Sequence, residues 1–327
     1  AGEACRCSPS TDAQEPHMQE PIESYCHVGL IHPMAFPEVA AGQGPIIETL
    51  EQIVLDPFFS AVEVTRMKDP AVLREAAQML AVSGMDVVFS TVAPLLQEKL
   101  SLCDLKKAGR QKAVDLCKSL MDQAYQLGAS IFVVASGPDP GEESRPKATA
   151  AFVDSLKQLC AEAQQRAEAH MLSVSVENFD RTIDKRFLIG PTAEAAEVAK
   201  AVYEEYSNSG LTIDLSHQPL LRESVQDMVL ASIDHLLHVH IGNCVMDDPS
   251  HAAYGDRHPR FACPGGCVGV EELKRFLETL IYAGYFKKNT PTAMPVMSFE
   301  VQPMAGEKPE WVIASSKRAL RDAWARL

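Results

Sequence analysis

Four short apolar runs in this chain each lead to an ionisable residue of a type that ligates metals. They are Leu172 to Glu177, Leu211 to Asp214, Leu236 to His240 and Val296 to Glu300. In Leu211-Thr-Ile-Asp-Leu-Ser-His217 the apolar residues alternate as a buried strand requires, yet Asp214 stands in the middle and His217 follows three residues later. A buried carboxylate with no partner costs several kcal/mol, so Asp214 must meet a cation or a strong set of donors. Helical stretches separate the four runs, so the fold has to bring their ends to one place.

Taken in order, the chain alternates strand and helix eight times. Strand patterns stand at Cys26–Ile31, Phe59–Val64, Met85–Ser90 and Ile131–Ala135, and the four runs above supply the fifth to eighth. Helical spacing runs over 45–55, over 70–80 behind the Asp69-Pro70 cap, over 105–127 up to the Gly128 stop, and over 145–170. It returns over 191–202, 222–230, 270–280 and 311–324. Eight strands alternating with eight helices is the arithmetic of a (β/α)8 barrel in the α/β class, in which chemistry sits at the C-terminal strand ends. We expect one catalytic barrel domain over 26–327, preceded by a short disordered N-terminal tail over 1–25.

Composition excludes several classes. A formal charge of −14 opposes nucleic acid and anionic membrane as partners, since both need a basic face. No apolar run approaches the roughly 18 residues of a membrane span. Ala1 to Cys7 lack the basic start and apolar core of a signal peptide. The nine cysteines are scattered through apolar patterns, which suits a reducing cytoplasm. Cys263 and Cys267 have no second cysteine pair to complete a zinc site, and Cys5 and Cys7 fall in the tail.

Glu177 in Val-Glu-Asn-Phe-Asp-Arg, Asp214 and His217 in Asp-Leu-Ser-His, His240 in His-Val-His-Ile-Gly-Asn and Glu300 in Phe-Glu resemble, in order and spacing, the metal site of the xylose isomerase-like TIM-barrel superfamily. The resemblance covers about residues 26 to 327. It implies one divalent metal ion held by Glu177, Asp214, His240 and Glu300, with Mn2+ first and Mg2+, Co2+ or Zn2+ also fitting the donor set. It implies that Glu177 and Glu300 are also the proton-transfer groups and that His217 touches a substrate hydroxyl. The loop Asp256-Arg-His-Pro-Arg260 resembles the segment in which an arginine reaches substrate; Arg257 and Arg260 compete for that role. His32 and Arg66, at the ends of strands one and two, depart from the sugar epimerases and are read as facing the substrate as well.

The chemistry expected is isomerisation or epimerisation of a small carbohydrate, a keto sugar or related polyol ketone. A proton would leave the carbon beside a metal-bound carbonyl, through an enediolate. A lyase or dehydratase, or a C-glycoside-cleaving enzyme on the same barrel, is the alternative, because elimination begins with the same proton abstraction. A repair nuclease of the AP endonuclease type would need three zinc ions and a basic groove, and a sugar-binding barrel would not need two glutamates across one carbon. His238, two residues before His240 on the same strand face, is expected deeper in the core as a hydrogen-bonded residue. His251 and His258, in a polar loop, are expected to be solvated. A homo-oligomer stays open.

Overall fold

The computed structural model describes residues 20–327. Cys5, Cys7 and most of the expected tail lie outside the described residues. Eight parallel strands close into a barrel in sequence order: β1 His27–Ile31, β2 Ala61–Val64, β3 Asp86–Ser90, β4 Ala129–Ala135, β5 Ser173–Glu177, β6 Ser209–Asp214, β7 Leu236–Gly242 and β8 Val296–Glu300. β8 closes on β1 through His27↔Val296 to Leu30↔Phe299. Helices cover the outside, as a parallel sheet apolar on its outer face requires.

Alternation along the strands sorts the residues into two environments. Val28, Leu30, Val62, Val64, Phe89, Phe132, Val174, Leu211, Ile213, Val239, Met297 and Phe299 belong to the large core shared with the helices. The intervening positions point into the barrel, where Val88, Ile131 and Val133 form a small separate cluster. Polar pairs occupy other inward positions: Ser175 Oγ lies 2.7 Å from Thr212 Oγ1, and His238 Nε2 lies 2.9 Å from Ser298 Oγ. His238 is therefore the hydrogen-bonded interior residue expected of it. Gly29 leaves the room this layer needs, since a Cβ there would come within 2.5 Å of Ser298 Oγ.

The described chain holds eleven α-helices where the sequence pattern gave eight. Asp69 caps Pro70–Ser83 by accepting from Ala71 N at 2.8 Å, as its position before Pro70 dictates. The helix expected over 222–230 runs instead over Val225–Ser232, where Ser224 caps it by accepting from Asp227 N, and a separate short helix, His217–Leu221, ends before it at Arg222 with φ +58°. Val92–Gln97, after β3, and His32–Ala35, after β1, are too short for helical periodicity to reveal.

The barrel domain also begins earlier than residue 26. Ile22 is buried, the Tyr25 and Trp324 rings lie 5.5 Å apart, and Trp324 Nε1 donates to Glu20 O at 2.9 Å. This short segment is held against the C-terminal helix Pro309–Trp324. Trp324→Ala is expected to lower unfolding free energy by about 3 kcal/mol through lost packing and the freed carbonyl, read by urea denaturation. A change under about 1 kcal/mol would show that the clasp contributes nothing.

Candidate active site

The inward position nearest the C-terminal end of each strand forms the floor of the barrel mouth. It carries Glu63 on β2, Ser90 on β3, Glu177 on β5, Asp214 on β6, His240 on β7 and Glu300 on β8, all buried. The centre is His240. Its Nε2 lies 2.9 Å from Glu63 Oε2, while Nδ1 lies 3.3 Å from Glu177 Oε1 and 2.8 Å from Glu300 Oε2. Burial opposes charging of this ring, yet Glu63, Glu300 and Glu177 hold its pKa well above the usual histidine range. Burial likewise pushes the Glu63 carboxyl up, against the pull of His240.

This arrangement fits a cation. Glu300 Oε2 is buried and makes no hydrogen bond although His240 Nδ1 lies 2.8 Å away, because that nitrogen is aligned with Glu177 Oε1 instead, so a buried carboxylate oxygen is left for a cation to satisfy. Glu177, His240 and Glu300 each offer a ligand atom within 4.8 Å of the others. With Nε2–H donating to Glu63, Nδ1 can ligate once an ion takes the place of the proton it shares with Glu177, which is the carboxylate–histidine–metal arrangement that fixes the tautomer of a metal-binding imidazole.

Asp214 is placed a step away from this trio. Its Oδ1 accepts from Ser216 N at 2.9 Å, Oδ2 accepts from Ser216 Oγ, and His217 and His258 each come within 3.6 Å. With Asp256 they make a second buried donor group: Asp214, His217, Asp256 and His258. His217 Nδ1 is 2.8 Å from Asn178 O, which turns Nε2 toward Asp256 Oδ1 at 3.2 Å. His258 Nε2 is 2.8 Å from the same oxygen and 3.3 Å from Glu300 Oε1, so it links the two groups. Lys185 Nζ pairs with Asp256 Oδ2 at 2.7 Å. Burial resists the charging of both imidazoles, but Asp256 and Asp214 hold His217 up to about 10, and Glu300 and Asp256 hold His258 up to about 9. In this second group every buried polar atom has a partner. Among the described residues no cysteine belongs to any donor group, and Cys263 and Cys267 are free thiols.

Glu63, Lys185, Asp256 and His258 are the residues that sequence reasoning missed. His258, expected in solvent, is only 2% exposed and sits at φ +49°, a strained backbone that aims its ring inward. Gly242 makes space for it, because a Cβ there would stand 2.9 Å from His258 Nδ1. The signal available was the spacing of Asp256-Arg-His258, in which two ligand-type residues flank Arg257 and are buried while the arginine turns out. Arg257 is accordingly exposed, and Arg260 Nε pairs with Glu307 at 3.0 Å. Arg66 turns outward to Glu98 and Gln97; the inward residue of its strand is Glu63, three positions earlier. His32 is buried with Nε2 on Thr49 Oγ1 at 2.7 Å, and burial lowers its pKa to about 4. None of His32, Arg66, Arg257 and Arg260 lines the cavity of about 140 Å³ bordered by Glu63, Glu177, Lys185, His240, Asp256, His258 and Glu300.

The sequence profile of the xylose isomerase-like TIM barrel matches residues 57–313, most of the chain, and the protein belongs to that family. Among similar solved structures, a D-tagatose 3-epimerase-like protein has TM-score 0.67 and 16% sequence identity, over 92% of this chain and 97% of that one. The IolI protein with a bound zinc atom has TM-score 0.67 and 13% identity, over 92% and 98%. An AP endonuclease of family 2 from Brucella melitensis has TM-score 0.62 and 16% identity, over 88% and 97%. No curated protein sequence matches the chain. Among the described residues no helix is long and apolar enough to cross a membrane.

Glu63→Gln keeps the shape of the side chain but replaces the charged acceptor of His240 Nε2–H. Metal affinity is expected to fall by about 10- to 100-fold, read by titration of chelator-stripped protein, whereas Arg66→Ala leaves it unchanged. Equal affinities in all three proteins would remove Glu63 from the site. Metal analysis after reconstitution is expected to show an ion lost in Glu300→Gln and retained in Asp256→Asn. The reverse pattern would assign the ion to the Asp214, His217, Asp256 and His258 group.

Proposed function

We propose that the protein is a divalent-metal-dependent isomerase or epimerase acting on a small carbohydrate, a keto sugar or related polyol ketone. The observation that carries this reading is the pair Glu177 and Glu300, brought from β5 and β8 to the same imidazole nitrogen at the floor of one cavity. Likeness of fold to an epimerase-like protein agrees with it. The ion would be held by Glu177, His240 and Glu300 with Asp214 at its edge, and the oxygen-rich donor set favours Mn2+. When bound, it supplies Lewis acidity that polarises the substrate carbonyl and makes the neighbouring C–H more acidic.

The chain's own residues then supply positioning and proton transfer. One of Glu177 and Glu300 takes the proton from the carbon beside the carbonyl, and the other returns a proton to the opposite face. Glu63 fixes the His240 ring through Nε2. His258, held by Asp256 and Lys185, donates toward Glu300 Oε1 and so keeps that carboxylate oriented. The buried surroundings exclude bulk water, which strengthens each of these interactions.

A nuclease reading draws on the second donor group and on the likeness to the AP endonuclease. It is opposed by the charge of −14 and by the cavity lining, where the one lysine, Lys185, is already committed to Asp256 and Asp184 and the imidazoles of His240 and His258 face carboxylates. We therefore read the partner as a small molecule and the setting as the cytoplasm, on the cysteine usage of the sequence.

The test is deuterium uptake from heavy water into recovered substrate and product. Wild type is expected to incorporate deuterium at the carbon beside the carbonyl, and Glu177→Gln and Glu300→Gln each to lower turnover by about a hundredfold or more. Turnover without deuterium would indicate a hydride shift. Uptake surviving both substitutions would place the bases elsewhere.

A further inference from the structure

Next to the cavity that contains Glu177, His240 and Glu300 lies a second one of about 240 Å³. Its walls are apolar: Val92, Leu95, Leu96, Leu100, Pro138 and Phe187 are prominent among them. The helix Val92–Gln97 and the turn behind it form one side, and the loop after β4 another. The two cavities share Val92 and Leu96 as walls. Phe179, which lines the first, meets Phe187, which lines the second, edge to face at 5.2 Å. A molecule whose reacting carbon lies between Glu177 and Glu300 would therefore reach this chamber by passing Val92.

The chamber's chemistry selects what can occupy it. Its one charged lining residue is Lys99, which is exposed at the rim, and Ser101 Oγ is already within 3.3 Å of Ser136 O and Cys103 N. A phosphate needs several fixed donors, and the hydroxyls of a second sugar would lose water without replacement partners. An apolar ring meets neither obstacle. An apolar cavity of roughly 150 Å³ suffices for benzene, and taken together the two cavities here reach the range of small-molecule sites, about 300–1,000 Å³.

We infer that the substrate is a polyhydroxy carbonyl compound bearing a ring-sized apolar substituent, seated in the chamber bordered by Val92, Leu96, Leu100 and Phe187. The substrate class is thus an aryl-substituted or similarly capped sugar and not a free sugar or sugar phosphate. The inference rests on the proposed isomerase reading for the polar end alone; the chamber stands on its own geometry.

The experiment compares affinities by calorimetry for metal-reconstituted full-length protein, with the phenyl and methyl β-glycosides of 3-keto-D-glucose as probes, a pair that carries the carbonyl and differs only in the substituent. Wild type is expected to bind the phenyl compound at least about tenfold more tightly. Leu100→Trp fills the chamber and is expected to abolish that preference while leaving the methyl glycoside unchanged; its melting temperature establishes that it folds. Lys99→Ala is expected to change neither affinity. Equal affinities in wild type, or a preference that survives in folded Leu100→Trp, would overturn the inference. Benzyl alcohol, followed by saturation-transfer NMR, reads the chamber without the sugar site. Binding to wild type but not to Leu100→Trp supports the chamber even where no deuterium exchange is found, in which case only the isomerase reading falls. Absence of both glycoside and benzyl alcohol binding would overturn the chamber itself.

Discussion

Three carboxylates converge on one buried imidazole at the mouth of this barrel, and much of the local structure follows from the need to hold them there. Glu63, Glu177 and Glu300 all face His240 from inward positions of different strands. Like charges this close repel unless a cation or a proton is shared between them. The barrel makes the convergence affordable because its strands are pinned by continuous ladders and cannot relax outward. The outer faces of those strands are packed into the apolar core with the helices, so the cost of the charged layer is met by burial elsewhere.

A second set of charges props up the first. Asp256 and His258 come from the long loop after β7, and Lys185 from the loop after β5, and neither loop is fixed by a strand at that point. What holds them is the Lys185, Asp256 and His258 chain of contacts, together with the bond from His217 Nδ1 to Asn178 O. The left-handed backbone of His258 is the local cost of turning that ring toward Glu300. Truncating one of the buried members, Asp256 or His258, leaves another charge uncompensated, so they cannot vary independently.

Polarity is divided sharply across the mouth. The β5 to β8 side supplies most of the acid and imidazole groups, while the short helix after β3 and the loop after β4 supply aliphatic and aromatic walls. On a barrel of this kind, chemistry and selectivity reside in different loops and change separately. The family match defines the scaffold, and Val92, Leu96, Leu100 and Phe187 give its mouth an apolar side.

The alternation of eight apolar runs with helical segments was written in the sequence, because strand and helix periods are local properties of neighbouring residues. So was the placement of Glu177, Asp214, His240 and Glu300 at strand ends, since an ionisable residue closing an apolar run is visible without coordinates. Glu63 also closes an apolar run, at the end of β2, but nothing local ranks it above Arg66, three residues later. That choice depends on which way each side chain points, and the inward path of β2 ends at Glu63 while Arg66 finds Glu98 on the surface. Nor could it show that His32 turns to Thr49, or that Asp214 sits with His217, Asp256 and His258 apart from the Glu177, His240 and Glu300 trio. Apart from Asp214 and His217, those pairings join residues 17 or more positions apart, and only closure of the barrel fixes the distances between them. His258 makes the physical reason plain: in sequence it is one polar residue in a polar loop, and it becomes a buried member of the site only because Gly242, Asp256 and Glu300 shape the space it enters.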